Sequence, residues 1–350
     1  MVKKSKKIAI IVSAIILIVV IGVLVVLMQP IQPPKPPVVI KNKLIALAVF
    51  NNGITVLNAT TMEKINYTSA PLPLVPNYVL ASDEHFLYVG FINLTAETPA
   101  NIWRINSTGY NELALPGYTH IHKLWAQSDL FALVSNDRTN EIAILDINVT
   151  SFAISKSVVL SGIAGRPTDL AVASDGLYMT AFNVSASANY LAKIDAALSV
   201  TSVASVPADS PAKICLSGET IFLRCSDSVL KFSKDLTFIS KTPGIFGYGG
   251  LAVVGDKLAV AGYKINVGSP CVYWLNPDTF EIANITELSD SIGNAFQVTT
   301  FGNSTLVSIW ESQVGSSIVN IASDGHVTKL LVSDDVNAWP VDLLYCEIVQ

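Results

Sequence analysis

The sharpest chemical feature of this 350-residue chain is His120-Ile121-His122. Side chains two positions apart on a strand point to one side, so the tripeptide would aim both imidazoles together. Neutral imidazole is the commonest metal ligand, yet no third histidine or carboxylate stands close by in sequence, and the lining of a polar channel is the competing reading. Arg166 and Asp169 form a second cluster, which either grips a carboxylate or a sugar or bridges two structural units as an ion pair. Tyr248, Tyr263, Trp310 and Trp339 form a third, of the residue types favoured in interface hot spots and in stacking on sugars. The sequence holds no nucleophile elbow, P-loop, paired-carboxylate motif or C-x-x-C, so no catalytic residue, metal ligand or cofactor is assigned.

The elements that must carry these residues are legible in one stretch, Asp169 to Val206. It parses into four apolar runs, Leu170–Ala173, Leu177–Phe182, Tyr190–Ile194 and Leu198–Val206, with Asp175-Gly176 the strongest hairpin signal. A lone four-stranded meander cannot bury both of its faces, so it needs similar neighbours stacked against it. The chain supplies them. Second-strand anchors recur at Leu44-Ile45, Leu87-Tyr88, Phe131-Ala132, Leu177-Tyr178, Ile221-Phe222, Leu258-Ala259 and Leu306-Val307, spaced 43, 44, 46, 44, 37 and 48 residues apart. A third apolar run follows each anchor and ends in a small polar residue, from "ITVLN" at Asn58 to "VYWLN" at Asn276, with "IVNIA" at Ala322 the weakest. This period predicts an all-β, seven-bladed β-propeller of four-stranded antiparallel blades.

The blades fall near residues 43–70, 77–118, 121–163, 167–209, 211–246, 248–291 and 293–335. The first unit lacks an innermost strand, and "PVDLLYCEIV" at Pro340–Val349 is one strand too many, so the last strand is expected to complete blade one and close the ring. Innermost strands begin at the mouth of the central channel. That places Tyr78, His120, His122, Arg166, Asp169, Lys213, Tyr248, Asn294, Gln297 and Trp339 around it. The "LYV"-like second strand and the "VYWLNPDTFEI" segment resemble the YVTN- and NHL-type propellers of prokaryotic surface proteins, archaeal in style. The resemblance spans residues 44–349 and implies the fold without supplying catalytic residues.

Ile8 to Met28 is an uncharged run of twenty-one residues, about the length that crosses the ~30 Å hydrocarbon core. Lys3, Lys4, Lys6 and Lys7 precede it, and no small-residue cleavage site follows, so an uncleaved signal anchor is expected, with residues 1–7 cytoplasmic and the C-terminal part outside. Five prolines between Pro30 and Pro37 make residues 29–42 an extended stalk. Residues 44–350 carry fifteen Lys+Arg against twenty-seven Asp+Glu, a formal charge of −12, which argues against nucleic acid as a partner.

Eight N-glycosylation sequons, at Asn58, Asn66, Asn93, Asn106, Asn148, Asn183, Asn284 and Asn303, all follow the apolar run. In the strand order above, only Asn93 and Asn183 fall on the channel-mouth face, which leaves that face free of sequons over blades five to seven. Cys215 and Cys225 flank the Ser217-Gly218 hairpin and form the leading candidate for a disulfide, while Cys271 and Cys346 sit in blades that are not adjacent. The expectation is a membrane-anchored surface propeller that binds an envelope or extracellular protein or glycan through its sequon-poor face. The alternatives are an extracellular enzyme (a glycan hydrolase or lyase, or a quinone-type dehydrogenase) with its site at the channel mouth, and a structural envelope subunit.

Overall fold

The structure is a computed structural model that describes residues 41–50, 53–65, 78–91, 99–183, 188–207, 211–247 and 249–349. The expected anchor and nearly all of the stalk, with Asn66, Asn93 and Tyr248, lie outside the described residues. Among the described residues every regular element is a β-strand, and no helix is long and apolar enough to cross a membrane.

The strands form seven separate four-stranded antiparallel sheets. Blade two is β4 to β7 (residues 78–115), blade three β8 to β11 (120–159), blade four β12 to β15 (166–205), and blade five β16 to β19 (213–243). Blade six is β20 to β23 (251–287) and blade seven β24 to β27 (293–333). Blade one is composite: β1 (Lys41–Val49), β2 (Gly53–Asn58) and β3 (Lys64–Ile65) are joined by β28 (Pro340–Val349) in the order β28-β1-β2-β3. The β1–β28 ladder runs from Lys41 opposite Val349 to Val49 opposite Pro340. The last strand therefore takes the innermost place that the first unit lacks.

Blades pack face to face, and seven apolar layers fill the seven junctions. Alternation along a single strand feeds two layers at once. In β1, Leu44, Ala46 and Ala48 face blade two, while Ile45, Leu47 and Val49 face blade seven. Strands covered on both sides read as continuous apolar runs, which is why "LIALAV" shows no polar alternation. Outermost strands lose one neighbour and alternate instead, as in β11 (Ala153–Val159), which is largely exposed.

In blades one, two, three, four and six the polar residue that ends the third strand makes the next turn. The side-chain Oδ1 of Asn58, Asn106, Asn148 and Asn276 accepts backbone N–H bonds from residues two and three positions on, and Asp195 accepts from Ala197 and Ser199. Four of these turns, and the Ser233 turn of blade five, then place a large apolar residue in the left-handed region: Met62, Phe152, Leu198, Phe280 and, in blade five, Leu236, with φ of 60, 50, 64, 61 and 68°. Such a conformation costs ~1–2 kcal/mol for a residue with a β-carbon. Phe152, Leu236 and Phe280 are buried in blade junctions, and burial of such a side chain stabilises by ~1.5–3 kcal/mol, enough to hold the backbone there. The recurring Asn and Asp are thus turn residues first. Asn58, Asn106 and Asn148 need no other reason to occupy their positions.

The expected Cys215–Cys225 disulfide is not present, and none of the four cysteines is in a disulfide. The two-residue turn sets Ser217 opposite Thr220 and Cys215 opposite Phe222, so Cys225, three residues further, faces the other side of the blade. Cys215 packs in the junction with blade six and Cys225 in the junction with blade four. Burial also pushes the Cys271 and Cys346 thiols up to about 11, away from the reactive thiolate.

Two outcomes test this architecture. A chain ending at Trp339 leaves the β1 edge and its buried Ile45 and Leu47 uncovered, and loss of the cooperative thermal transition is expected; an unchanged melting curve would refute closure by β28. Asn148→Ala should cost about 1 kcal/mol in denaturant titration, whereas Asn148→Asp keeps the acceptor oxygen and should cost much less.

Candidate functional site at the channel mouth

In each blade the connections from second to third strand and from one blade to the next open on one face of the ring, here termed the mouth face; the tight hairpins lie on the other, the hairpin face. The innermost strands are β28, β4 (Tyr78–Ser82), β8 (His120–Ala126), β12 (Arg166–Ala173), β16 (Lys213–Ser217), β20 (Leu251–Val254) and β24 (Gly293–Phe301). Their inner edges have no ladder partner, so their N–H and C=O groups must be satisfied in another way.

Four of these strands solve the problem with a β-bulge. The register shifts at His122, Thr168, Phe296 and Val341, and the residues that follow are Lys123, Asp169, Gln297 and Asp342. Each of these polar side chains reaches the next blade. Asp342 Oδ2 accepts from Leu80 N at 2.8 Å, Asp169 Oδ2 from Ile214 N at 3.1 Å, and Gln297 Nε2 donates to Val341 O at 3.0 Å. Lys123 Nζ lies 3.1 Å from Asp169 Oδ1. Gly250 N donates to Phe296 O at 2.5 Å, which links blade six to blade seven in the same belt. Buried hydroxyls on the second strands hold three of the bulges: His122 Nε2 bonds Ser135 Oγ at 2.8 Å, Thr168 Oγ1 bonds Thr180 Oγ1 at 2.8 Å, and Gln297 N donates to Ser308 Oγ at 3.0 Å.

The structure brings His120, His122, Arg166 and Asp169 together where blades three and four meet the channel. His120 and His122 lie ring over ring at 6.0 Å, on one side of β8 as their spacing predicts. Arg166 and Asp169 do not pair with each other. Arg166 Nη2 meets Asp137 Oδ2 at 2.8 Å, and Asp137 Oδ1 is 3.5 Å from His120 Nδ1. Both members of the second cluster therefore bridge blade four to blade three, Arg166 at the surface and Asp169 at depth.

Electrostatics separate the two levels. Burial, aided by repulsion from His120 and Arg166, pushes His122 down to about 3, so this imidazole is neutral at physiological pH. Burial alone would raise the Asp169 carboxyl, but Lys123, Lys213 and the Ile214 N–H overcome it and hold the group below the usual carboxylate range. The Asp169 carboxylate in turn lifts the Lys123 ammonium above its ordinary value against burial, with Asp342 contributing. Two cations at the mouth are thus matched by carboxylates, Arg166 by Asp137 and Lys123 by Asp169, and Lys213 adds its charge to the field at Asp169. Ser135, next to His122, is 1% exposed and anchors the bulge; it is no accessible nucleophile. Among the described residues no group of three or more His, Cys, Asp or Glu side chains could hold a metal ion.

The aromatic residues lie on the same face but across the ring. Tyr263 is the last residue but one of β21 (Lys257–Lys264) and Trp310 lies near the end of β25 (Ser304–Glu311), while Trp339 precedes β28 and stacks on Phe50 at 4.2 Å. Five apolar side chains around them are exposed: Ile265, Val267, Ile292, Val336 and Trp339, with Ile292 at 65%. Backbone and side-chain bonds link their loops in sequence. Gly293 N donates to Gly268 O, Ser312 N to Ile292 O, Trp310 Nε1 to Val336 O, and Phe50 N to Trp339 O, at 2.7 to 2.9 Å. The result is one apolar arc over blades six, seven and one.

Sequence reasoning missed Asp137, Lys123, Asp342 and the aliphatic members of the arc. A signal for the bulges existed: Ser135, Thr180 and Ser308 are hydroxyls inside otherwise apolar second strands. Of the expected sequons, Asn58, Asn106, Asn148 and Asn303 lie at hairpin-face turns, Asn284 on the outermost strand β23 (Ile282–Glu287), and Asn183 at the mouth-face end of β13 (Gly176–Asn183).

Fold and site together define a seven-bladed β-propeller with a charge-matched channel mouth and an apolar arc beside it. Comparison with known protein families finds no match, and no curated protein matches. Among solved structures the chain is similar to a Bacteroides uniformis protein described as a "putative 6-phosphogluconolactonase" (15% identity, TM-score 0.64, covering 87% of this chain and 100% of that one). It is also similar to a Lactobacillus plantarum protein (14%, 0.63, 88% and 100%) and to the Cps50 (Swd1) β-propeller domain of Myceliophteria thermophila (12%, 0.59, 87% and 99%). At such identities the likeness is one of fold alone.

The Lys123–Asp169 pair gives a testable pH dependence. A carboxylate held low in the folded state stabilises above its unfolded value of ~3.9, and the contribution is lost as pH falls through the folded value. Asp169→Asn should cost about 1–3 kcal/mol at pH 7, less than a fully enclosed pair because Lys123 is partly open to the channel, and should flatten the fall in stability below about pH 4. Parallel acid denaturation curves for the two proteins would remove the pair from the account.

Proposed function

We propose that this chain is a membrane-tethered surface propeller, of the YVTN/NHL kind that its strand signature resembles, that docks a partner protein through the apolar arc. The exposed arc of Ile265, Val267, Ile292, Val336 and Trp339, on loops that hydrogen bonds link in sequence over blades six, seven and one, carries the reading. Contiguous exposed apolar surface is uncommon on a protein that works alone, and aromatic anchors within it are typical of interface centres. Four of its five members are aliphatic, which suits a protein surface better than a sugar. The uncharged run at residues 8–28 with lysines before it supports the tether, and the lack of sequons beside the arc supports an open docking face.

A second reading, an enzyme acting on a small polar molecule, is favoured by the accessible Arg166 side chain, 61% exposed and held beside Asp137 and His120. The two readings separate by variant. With the full chain in detergent, Ile292→Glu and Val267→Glu should each lower capture of the partner from envelope extract by at least about tenfold, with stability changed by no more than about 0.5 kcal/mol. Capture that survives both but is lost in Arg166→Ala would reject the arc in favour of the channel mouth.

A further inference from the structure

On the hairpin face, away from both the channel mouth and the arc, a cleft of about 470 Å3 opens between blades six and seven. Its volume is in the range of small-molecule sites. Trp274, on β22 (Ser269–Leu275), stands directly opposite Asn284 of β23, and directly opposed residues of paired strands share one face of the sheet. Its Nε1 donates to Thr286 Oγ1 at 2.9 Å, which fixes the indole by its edge. Trp274, Asn284 and Thr286 all line the cleft, and Asn303 and Ser323 close it from turns of blade seven.

The lining selects among ligand chemistries. One carboxylate, Asp256, and one ammonium, Lys257, are present, and the remaining polar groups are amides and hydroxyls. A polyphosphate would find no excess of positive charge, and a purely apolar ligand would leave these groups without partners. A sugar ring meets both conditions, with an apolar C–H face for the indole and hydroxyls that both donate and accept. We propose that this cleft is a saccharide-binding site with Trp274 as its stacking platform and Asn284 and Asn303 as its hydroxyl partners. Both asparagines head sequons, Asn284-Ile285-Thr286 and Asn303-Ser304-Thr305, whose threonines also line the cleft. The ring can therefore come from a free glycan or from a glycan attached to the chain itself.

The experiment has two arms, each on the full chain in detergent. Chain made in a host without N-glycosylation is titrated with short oligosaccharides of glucose, mannose and N-acetylglucosamine, followed by saturation-transfer NMR. Saturable binding is expected for a free glycan, weakened at least about tenfold by Trp274→Ala and also by Asn303→Ala, a change at an exposed turn that leaves the fold intact. Trp274→Phe is the companion variant should the alanine form fail to fold. Chain from a glycosylating host is then compared by thermal melting. If the attached glycan fills the cleft, the glycosylated form melts higher, and Trp274→Phe or removal of the acceptor by Asn284→Asp and Asn303→Asp abolishes the difference. Binding undiminished in the Trp274 and Asn303 variants would overturn the proposal, as would the absence of both saturable binding and Trp274-dependent stabilisation.

Discussion

A blade whose two faces are both apolar cannot exist alone, and the structure depends on that constraint before any other. Each strand pair contributes side chains to two junctions, so a blade is stable only with neighbours on both sides, and a row of blades is satisfied only when its ends meet. Closure then requires a strand from one end of the chain to enter a sheet begun at the other. The pairing of β28 with β1 meets that requirement with hydrogen bonds, and the layer that contains Ile45, Leu47, Leu306 and Ile318 meets it with apolar contact.

Closing the ring creates a second constraint at its centre. Seven inner strands present unpaired edges to the central channel, where a buried, unsatisfied N–H costs about as much as a lost hydrogen bond. The bulges at His122, Thr168, Phe296 and Val341 turn the following polar residue toward the adjacent blade. Polarity at the channel is therefore structural in origin, and it leaves the mouth furnished with matched charges. The apolar arc has no such origin, since no layer of the fold covers it.

The blade count, the closing strand and the face on which His120, Arg166 and Trp339 lie were legible because they depend on period and parity alone. Lys123 was not, since the bulge at His122, marked only by the Ser135 hydroxyl on the facing strand, changes the parity of everything after it, and Asp137 was not, since it lies in the connection after β9 (Leu130–Asn136), where no strand period applies. The same parity explains the cysteines: a two-residue turn after Ser217 already places Cys225 on the face opposite Cys215, so the short hairpin that suggested the disulfide is what forbids it. Trp274 packs against the apolar layer between blades six and seven and also borders the cleft that opens there, a second role that its largely apolar strand does not mark.

The β1–β28 ladder also has a mechanical meaning. A pull applied at Lys41 runs along β1, and the hydrogen bonds to β28 and β2 lie across that direction over most of the strand. The load is shared by many bonds in shear, where a pull across the ladder would break them one after another. Both ends of the described chain meet in this blade, so a molecule held at its start and engaged at its loops would transmit force through a strand paired along both of its edges.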